Sequence, residues 1–262
     1  MKEIVKKSIF KLCYYTSKFK KKKFNLEVDV FSIPVKFPLL RDQYFYFHHY
    51  FWNILPSEFR DHRKYFTSNR RGFGEDAFHS MWYLIFNKFK PKSVLEIGVY
   101  RGQTITLFSL LSKHFDCNSE IHGISPFTNS GDEVSIYLDG LNYYEDVLHN
   151  FSYFNLKEAI LHKGFSNEIS MKPLFESKQW DLIYIDGNHD YDVAKYDFEI
   201  SALNLKKGGL IVLDDSGLNT NYKPFKYSTA GHPGPSKVAY EIDRNIFEEI
   251  LSVGHNRVFL KK

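Results

Sequence analysis

A chain of 262 residues, 43% apolar and 25% charged, can bury the core of one large globular domain, and its composition excludes disordered, collagen-like and disulfide-stapled classes. The formal charge of +4 is unevenly placed: residues 1–24 hold nine lysines against Glu3, about +8, which leaves the remainder near −4. That slightly acidic body has no basic, aromatic-interleaved groove, so nucleic acid is not an expected partner.

In chain order, the lysine-rich stretch comes first. Lys11 interrupts its apolar run and no small-residue cleavage site follows, so it reads poorly as a signal peptide. It reads either as a solvated basic tail or as a peripheral contact with anionic membrane, with Ile4, Ile9, Phe10 and Tyr14 as a weak apolar face. No apolar run approaches the roughly 20 residues that span a bilayer. Cys13 and Cys117 lie far apart without metal-type spacing, which suits a reducing cytosol. The expected location is therefore cytoplasmic, with the inner membrane face as the alternative if the tail binds lipid.

Residues 25–75 form an aromatic-rich accessory region. "RDQYFYFHHYFWNIL" puts Tyr44, Phe47, Phe51 and Leu55 at helical spacing, which predicts a helix that caps the following domain or makes a contact in a homo-oligomer. His48 and His49 are adjacent, hence on different helix faces, and are not expected as ligands.

The remaining domain, 76–262, alternates strands and helices. "SVLEIGV" (93–99) predicts a strand, followed by a helix over 102–114. "EIHGI" (120–124) is a second strand, with a long helix expected across 132–155. "EAILHKG" (158–164) is a third, with a helix near 166–177. "WDLIYIDG" is a fourth, with a helix over 190–205 that Asp190 would cap. "GGLIVLDD" (208–215) is a fifth. A Gly/Pro-rich loop, 216–235, leads to a helix near Pro235, and "FEEILSVGHNRVFLKK" reads as a hairpin turning at 254–256. Such alternation implies right-handed crossovers and a mostly parallel sheet covered on both faces.

"VLEIGVYRGQT" ends a strand in glycine and opens a helix, which brings backbone N–H groups close to a ligand. The spacing is not that of a nicotinamide fingerprint, because Tyr100 would obstruct a pyrophosphate and Glu96 would repel it. A carboxylate suits a cationic, amino-acid-bearing ligand. With the strand order, this motif resembles the class I S-adenosylmethionine-dependent methyltransferases over roughly residues 70–262. The resemblance implies an α/β, Rossmann-like fold: a seven-stranded, mostly parallel sheet ending in an antiparallel hairpin, with an N-terminal helical cap. It also implies cofactor contacts at Glu96, Gly98, Tyr100, Gly102, Gln103 and Thr104, and at Gly164, Phe165 and Ser166 after the third strand. The second strand departs from the family, since Ser125 stands where an acidic residue usually holds the ribose.

Asp186 ends the fourth strand and Asp214 and Asp215 end the fifth, so three carboxylates are expected at one sheet edge. "IYIDGNHDY" with "GGLIVLDDS" and "PSKVAYEI" is similar to the metal-dependent O-methyltransferases of the macrocin and novobiocin pathways. This implies Asp186, Asp214 and Asp215 as Mg²⁺ ligands, with Asp186 also beside the cofactor, and a hydroxylated, sugar-containing small molecule as acceptor. Asn188 stands where that branch has an aspartate base; His189, with a suitable intrinsic pKa, is the candidate general base, and His232 the alternative. Two other readings stay open: a metal-independent methyltransferase that uses His189 alone, and a non-catalytic binding protein on the same fold.

Overall fold

The structure, a computed structural model, describes residues 8, 12, 29–224 and 228–262; the basic tail and Cys13 lie outside them. A 3-10 turn, Val30–Ser32, leads into α1 (Ile33–Lys36), α2 (Leu40–Asn53), α3 (Ser57–Thr67) and α4 (Asp76–Phe89). There follow β1 (Ser93–Ile97), α5 (Gln103–His114), β2 (Glu120–Ser125), α6 (Tyr143–Tyr153), β3 (Ile160–Lys163), α7 (Lys172–Glu176) and β4 (Trp180–Ile185). Then come α8 (Tyr191–Asn204), β5 (Leu205–Leu213), α9 (Pro233–Glu241), β6 (Phe247–Val253) and β7 (Asn256–Lys261). Among the described residues no helix is long and apolar enough to cross a membrane.

The strands form one seven-stranded sheet in the order β3-β2-β1-β4-β5-β7-β6. All pairs are parallel except those made by β7, which runs antiparallel to β5 and β6. This is the architecture the sequence predicts, hairpin included.

Strand alternation divides the core in two, because successive side chains point to opposite faces. Val94, Leu182, Tyr184, Leu210 and Val212 face the N-terminal helices, where Phe47, Phe51, Met81, Phe86 and Phe108 are buried with them. Leu95, Ile97, Ile183, Ile185, Ile211 and Leu213 face α8 and α9, with Ala194, Ile200 and Val238. On the first face Trp82 of α4 meets Phe108 and Tyr184 edge-on, with ring centroids 4.7 and 5.0 Å apart. The aromatic residues of α2 and α4 thus fill the space over the sheet that a shorter chain would leave bare.

Strand order reverses between β1 and β4, the crevice where open α/β sheets bind ligands. Register keeps the carboxyl ends level there, with Ile97 opposite Ile185 and Ile185 opposite Leu213. The ladder continues one step beyond: Asp186 N–H donates to Ile97 O at 2.8 Å and Asp214 N–H to Ile185 O at 2.9 Å. Gly98, Asp186 and Asp214 are therefore set in one row at the sheet edge.

Three expectations differ from what is observed. The helix expected over 132–155 begins only at Tyr143; residues 126–142 are irregular, their side chains turning back onto their own backbone. The helix near 166–177 is a 3-10 turn, Ile169–Met171, joined to the single-turn α7. β5 begins at Leu205, ahead of the glycine pair.

Candidate active site

A cavity of about 410 Å³ opens at the carboxyl edge of β1, β2, β4 and β5. Of the residues singled out in the sequence, Glu96, Gly98, Tyr100, Gln103, Thr104, Ser125, Gly164, Phe165, Ser166 and Asp186 line it, as do Asp214, Asp215, His189 and His232. Gly102 does not: it is the N-cap of α5, with φ +82°, and a Cβ there would press on Val147 of α6 at 3.2 Å.

The floor is the β1–α5 turn. Gly98 has φ +101°, and a Cβ on it would sit 1.9 Å from the Asp186 carbonyl oxygen, so only glycine lets β1 and β4 approach this closely. Glu96 is 3% exposed and its Oε2 has no hydrogen-bond partner. Burial alone pushes its carboxyl group up to about 8. Such a group is costly unless a ligand meets it, and a cationic ammonium would do so. Tyr100 stacks loosely among Phe73, Tyr137 and Tyr143, with centroids 5.4, 6.5 and 5.4 Å away, which makes this end of the cavity aromatic. Gln103 accepts from Arg63 Nη1 at 3.1 Å and is enclosed by Gly72 and Gly74. The strap before α4 thereby closes over the start of α5. Ser125 is buried, and its Oγ accepts only a long bond, 3.3 Å, from the Phe127 N–H.

The opposite end is a carboxylate–imidazole cluster. The Tyr184 hydroxyl lies 3.1 Å from Asp186 Oδ2 and 3.0 Å from Asp214 Oδ2. It has one proton to donate; burial and then the Asp214 charge push the Asp186 carboxyl well up, while burial and the Asp215 charge raise that of Asp214. Asp215 Oδ2 accepts from His189 Nε2 at 2.9 Å, while His232 Nε2 stands 3.9 Å from the same oxygen. The His189 and His232 rings are 4.2 Å apart. His255 Nε2 approaches Asp214 Oδ1 at 3.3 Å and Asp215 Oδ1 at 4.0 Å. On the far side of His189, Nδ1 is 2.6 Å from Asp132 Oδ2. Burial works against a charged His189, but bonds to Asp215 and Asp132 outweigh it and lift its pKa to about 9. Asp132, despite burial, is held down to about 2 by bonds from His189 and Ser135.

Residues 95–216 match a family model described as a methyltransferase domain. That stretch, just under half of the chain, is similar to the family, and the sheet has the Rossmann-like order expected for it. An uncharacterized protein of Acanthamoeba polyphaga mimivirus is 26% identical over 188 residues, covering 68% of this chain and 74% of that one. Among solved structures, an O-methyltransferase from Bacillus cereus in complex with S-adenosylhomocysteine superposes with a TM-score of 0.56 at 12% identity, covering 86% of this chain and 100% of its own. A Podospora anserina methyltransferase bound to the same molecule gives 0.56 at 16% identity, covering 79% and 89%. At these identities the likeness is one of fold.

The carboxyl edge of the sheet has the donor chemistry of a divalent-cation site. Two groups of three have ligand atoms within 4.8 Å of one another: Asp214, Asp215 and His255, and Asp215, His189 and His232. Asp186, Asp214 and Asp215, the trio expected from sequence, line the same cavity but do not form such a group among the described residues. Asp186 is engaged with Tyr184 instead. Oxygen donors fit Mg²⁺ and the interleaved imidazoles extend the range to Mn²⁺ and its neighbours.

Sequence reasoning missed Asp132, Tyr184 and His255. Tyr184 is the alternate residue two before Asp186 on a strand already read as apolar. Asp132 and His255 come from a loop and a hairpin turn, and nothing local marks them. Asp190 occupies the N-cap of α8 without a side-chain cap bond; it is Asn188 Oδ1 that accepts, from Asp190 N–H at 2.7 Å.

Proposed function

We propose that this domain transfers the methyl group of S-adenosylmethionine to a hydroxyl of a small molecule, a sugar or glycan precursor, with a divalent cation, Mg²⁺ or Mn²⁺, at the carboxylate cluster. The observation that carries the reading is the pairing of an unsatisfied buried Glu96 at one end of the cavity with His189, fixed between two carboxylates, at the other. Glu96 would take the cofactor's ammonium, Tyr100 and the glycine turn its amino-acid chain, and Gly164 to Ser166 its adenine side. His189, in its neutral form with Nε2 deprotonated, would take the proton of the acceptor hydroxyl, so methyl transfer should speed up as pH rises toward about 9. The acceptor oxygen then forms a bond to the methyl carbon as the sulfur–methyl bond breaks, the sulfur keeping the electron pair as S-adenosylhomocysteine. A cation held by Asp214 and Asp215, with His255, would lower the acceptor hydroxyl's pKa and help orient it.

Calorimetry with S-adenosylhomocysteine tests the cofactor, and His189→Ala, expected to lose about 10²–10⁴ in methyl-transfer rate, tests the base. Absence of binding at high micromolar concentration would favour a non-catalytic protein on this fold. A metal-independent reading has its own support, since His189 and His255 already offset Asp214 and Asp215; activity that survives a chelator would establish it. For residues 1–24 we propose contact with anionic lipid, which unchanged liposome binding after their deletion would refute.

A further inference from the structure

The irregular segment between β2 and α6 does more than connect them. It crosses the carboxyl edge and delivers Asp132 to His189 across 57 residues of chain. The Asp132 carboxylate is 4% exposed and accepts five bonds. Oδ1 takes Val134 N–H at 3.1 Å, Ser135 N–H at 2.8 Å and Ser135 Oγ–H at 2.8 Å. Oδ2 takes the His189 backbone N–H at 2.7 Å and ring Nδ1–H at 2.6 Å. Three of these bonds fix the carboxylate to its own loop and two clamp both the backbone and the ring of His189. The other ring nitrogen, Nε2, has one partner, Asp215 Oδ2, in the cavity.

We propose that Asp132 is the positioning residue of His189: it keeps the Nδ1 proton in place and so makes Nε2 the nitrogen that exchanges a proton with the acceptor. The inference rests on the reading of His189 as base. The buried, two-bonded His189 contact is the harder of the two to break, because opening it would leave Asp132 Oδ2 and two N–H donors unsatisfied. Nε2 gives up only a single bond to a carboxylate that has other partners. In the reaction His189 acts from its neutral form, with the Nε2 proton first released to solvent and Nδ1 keeping its own on Asp132; the acceptor O–H proton then moves to the free Nε2 lone pair, and the acceptor oxygen takes the methyl. The same clamp makes residues 126–142 one wall of the acceptor site, with Val134, Ile136 and Tyr137 lining the cavity on that side.

The test uses the full chain with ¹⁵N-labelled histidine rings, His189 being assigned by the signal lost in His189→Gln. The proposal expects a protonated, slowly exchanging His189 Nδ1–H. Asp132→Ala should speed its exchange with water by at least about tenfold, and Asp132→Glu should restore much of the protection. With catechol as the hydroxylated probe, Asp132→Ala should lower kcat by on the order of 10²-fold or more while the KM for S-adenosylmethionine stays within about twofold. An Nδ1 proton indifferent to Asp132→Ala, or a loss in which that KM rises as kcat falls, would overturn it. Failure of the wild-type chain to bind S-adenosylhomocysteine would instead overturn the methyltransferase reading itself, taking the positioning role with it.

Discussion

Glu96 shows how one residue links the fold to the cofactor proposed for it. It sits mid-strand on β1 in a fully buried run, where register allows it neither solvent nor a cation. Its carboxyl group is therefore held protonated to about 8 instead of 4.5. Between those two pH values the unfolded chain releases a proton that the folded chain keeps, so this residue's contribution to stability falls as pH rises from 4.5 to 8. Glu96→Gln keeps the shape and removes the titration. Its denaturation midpoint should exceed that of the wild type at pH 8 by more than at pH 4.5, while its affinity for S-adenosylhomocysteine drops. Equal midpoint differences at the two pH values would show that Glu96 already has a partner.

At the scale of elements, the glycine turn and the helical cap are tied together by Arg101. Its guanidinium makes two bonds to Asp146 of α6, at 2.6 and 3.0 Å, and also donates to the carbonyls of Asn69 and Arg70, at 3.0 and 3.4 Å. It is only 5% exposed. Removing one partner of such a pair strands the other, so Arg101→Ala and Asp146→Ala should each cost about 3–5 kcal/mol in urea denaturation, and the double variant less than their sum. Equal small losses would mean that the strap is held without it. This tie also marks where sequence reading stopped. The five parallel strands and the hairpin are legible because each is a short apolar run ending in Gly or Asp, a local signal that tertiary contacts reinforce. The segment 126–142 is not, because its shape comes from the Thr128 hydroxyl and the Asp132 carboxylate accepting from nearby backbone N–H groups instead of from any hydrophobic period. Three carboxylates at the sheet edge could be counted in the sequence. Which of them would face imidazoles depended on a loop and a hairpin turn that only the fold brings together.

For the whole molecule, the cluster makes stability depend on pH and, if it holds the proposed divalent cation, on that ion as well. His189 has its pKa raised from 6.5 to about 9, and that of the buried His255 is raised too, by Asp214 and Asp215 against its burial. A raised histidine pKa gives stability that is complete below 6.5 and lost as pH climbs through about 9. Over that interval Asp214 and Asp215 lose the imidazolium charge that offsets their own, while Asp132 and Asp215 stay ionised. A divalent cation that binds the folded chain alone adds RT ln(1 + [L]/Kd), about 2.7 kcal/mol at a hundredfold excess over Kd. Because the imidazolium charges and the cation compete for the same carboxylates, and protons for the same imidazole nitrogens, that excess is reached at lower metal concentration when the imidazoles are neutral. The thermal midpoint of the metal-free protein should therefore fall from pH 6.5 to 9, and the rise produced by a fixed Mn²⁺ concentration should be larger at pH 9 than at pH 6.5. Asp215→Asn should abolish most of that difference, since Asp215 belongs to both groups of potential ligands. A metal-induced rise that is independent of pH would place the cation elsewhere on the molecule, and no rise at any pH would favour the metal-independent reading, in which the imidazoles alone serve the carboxylates.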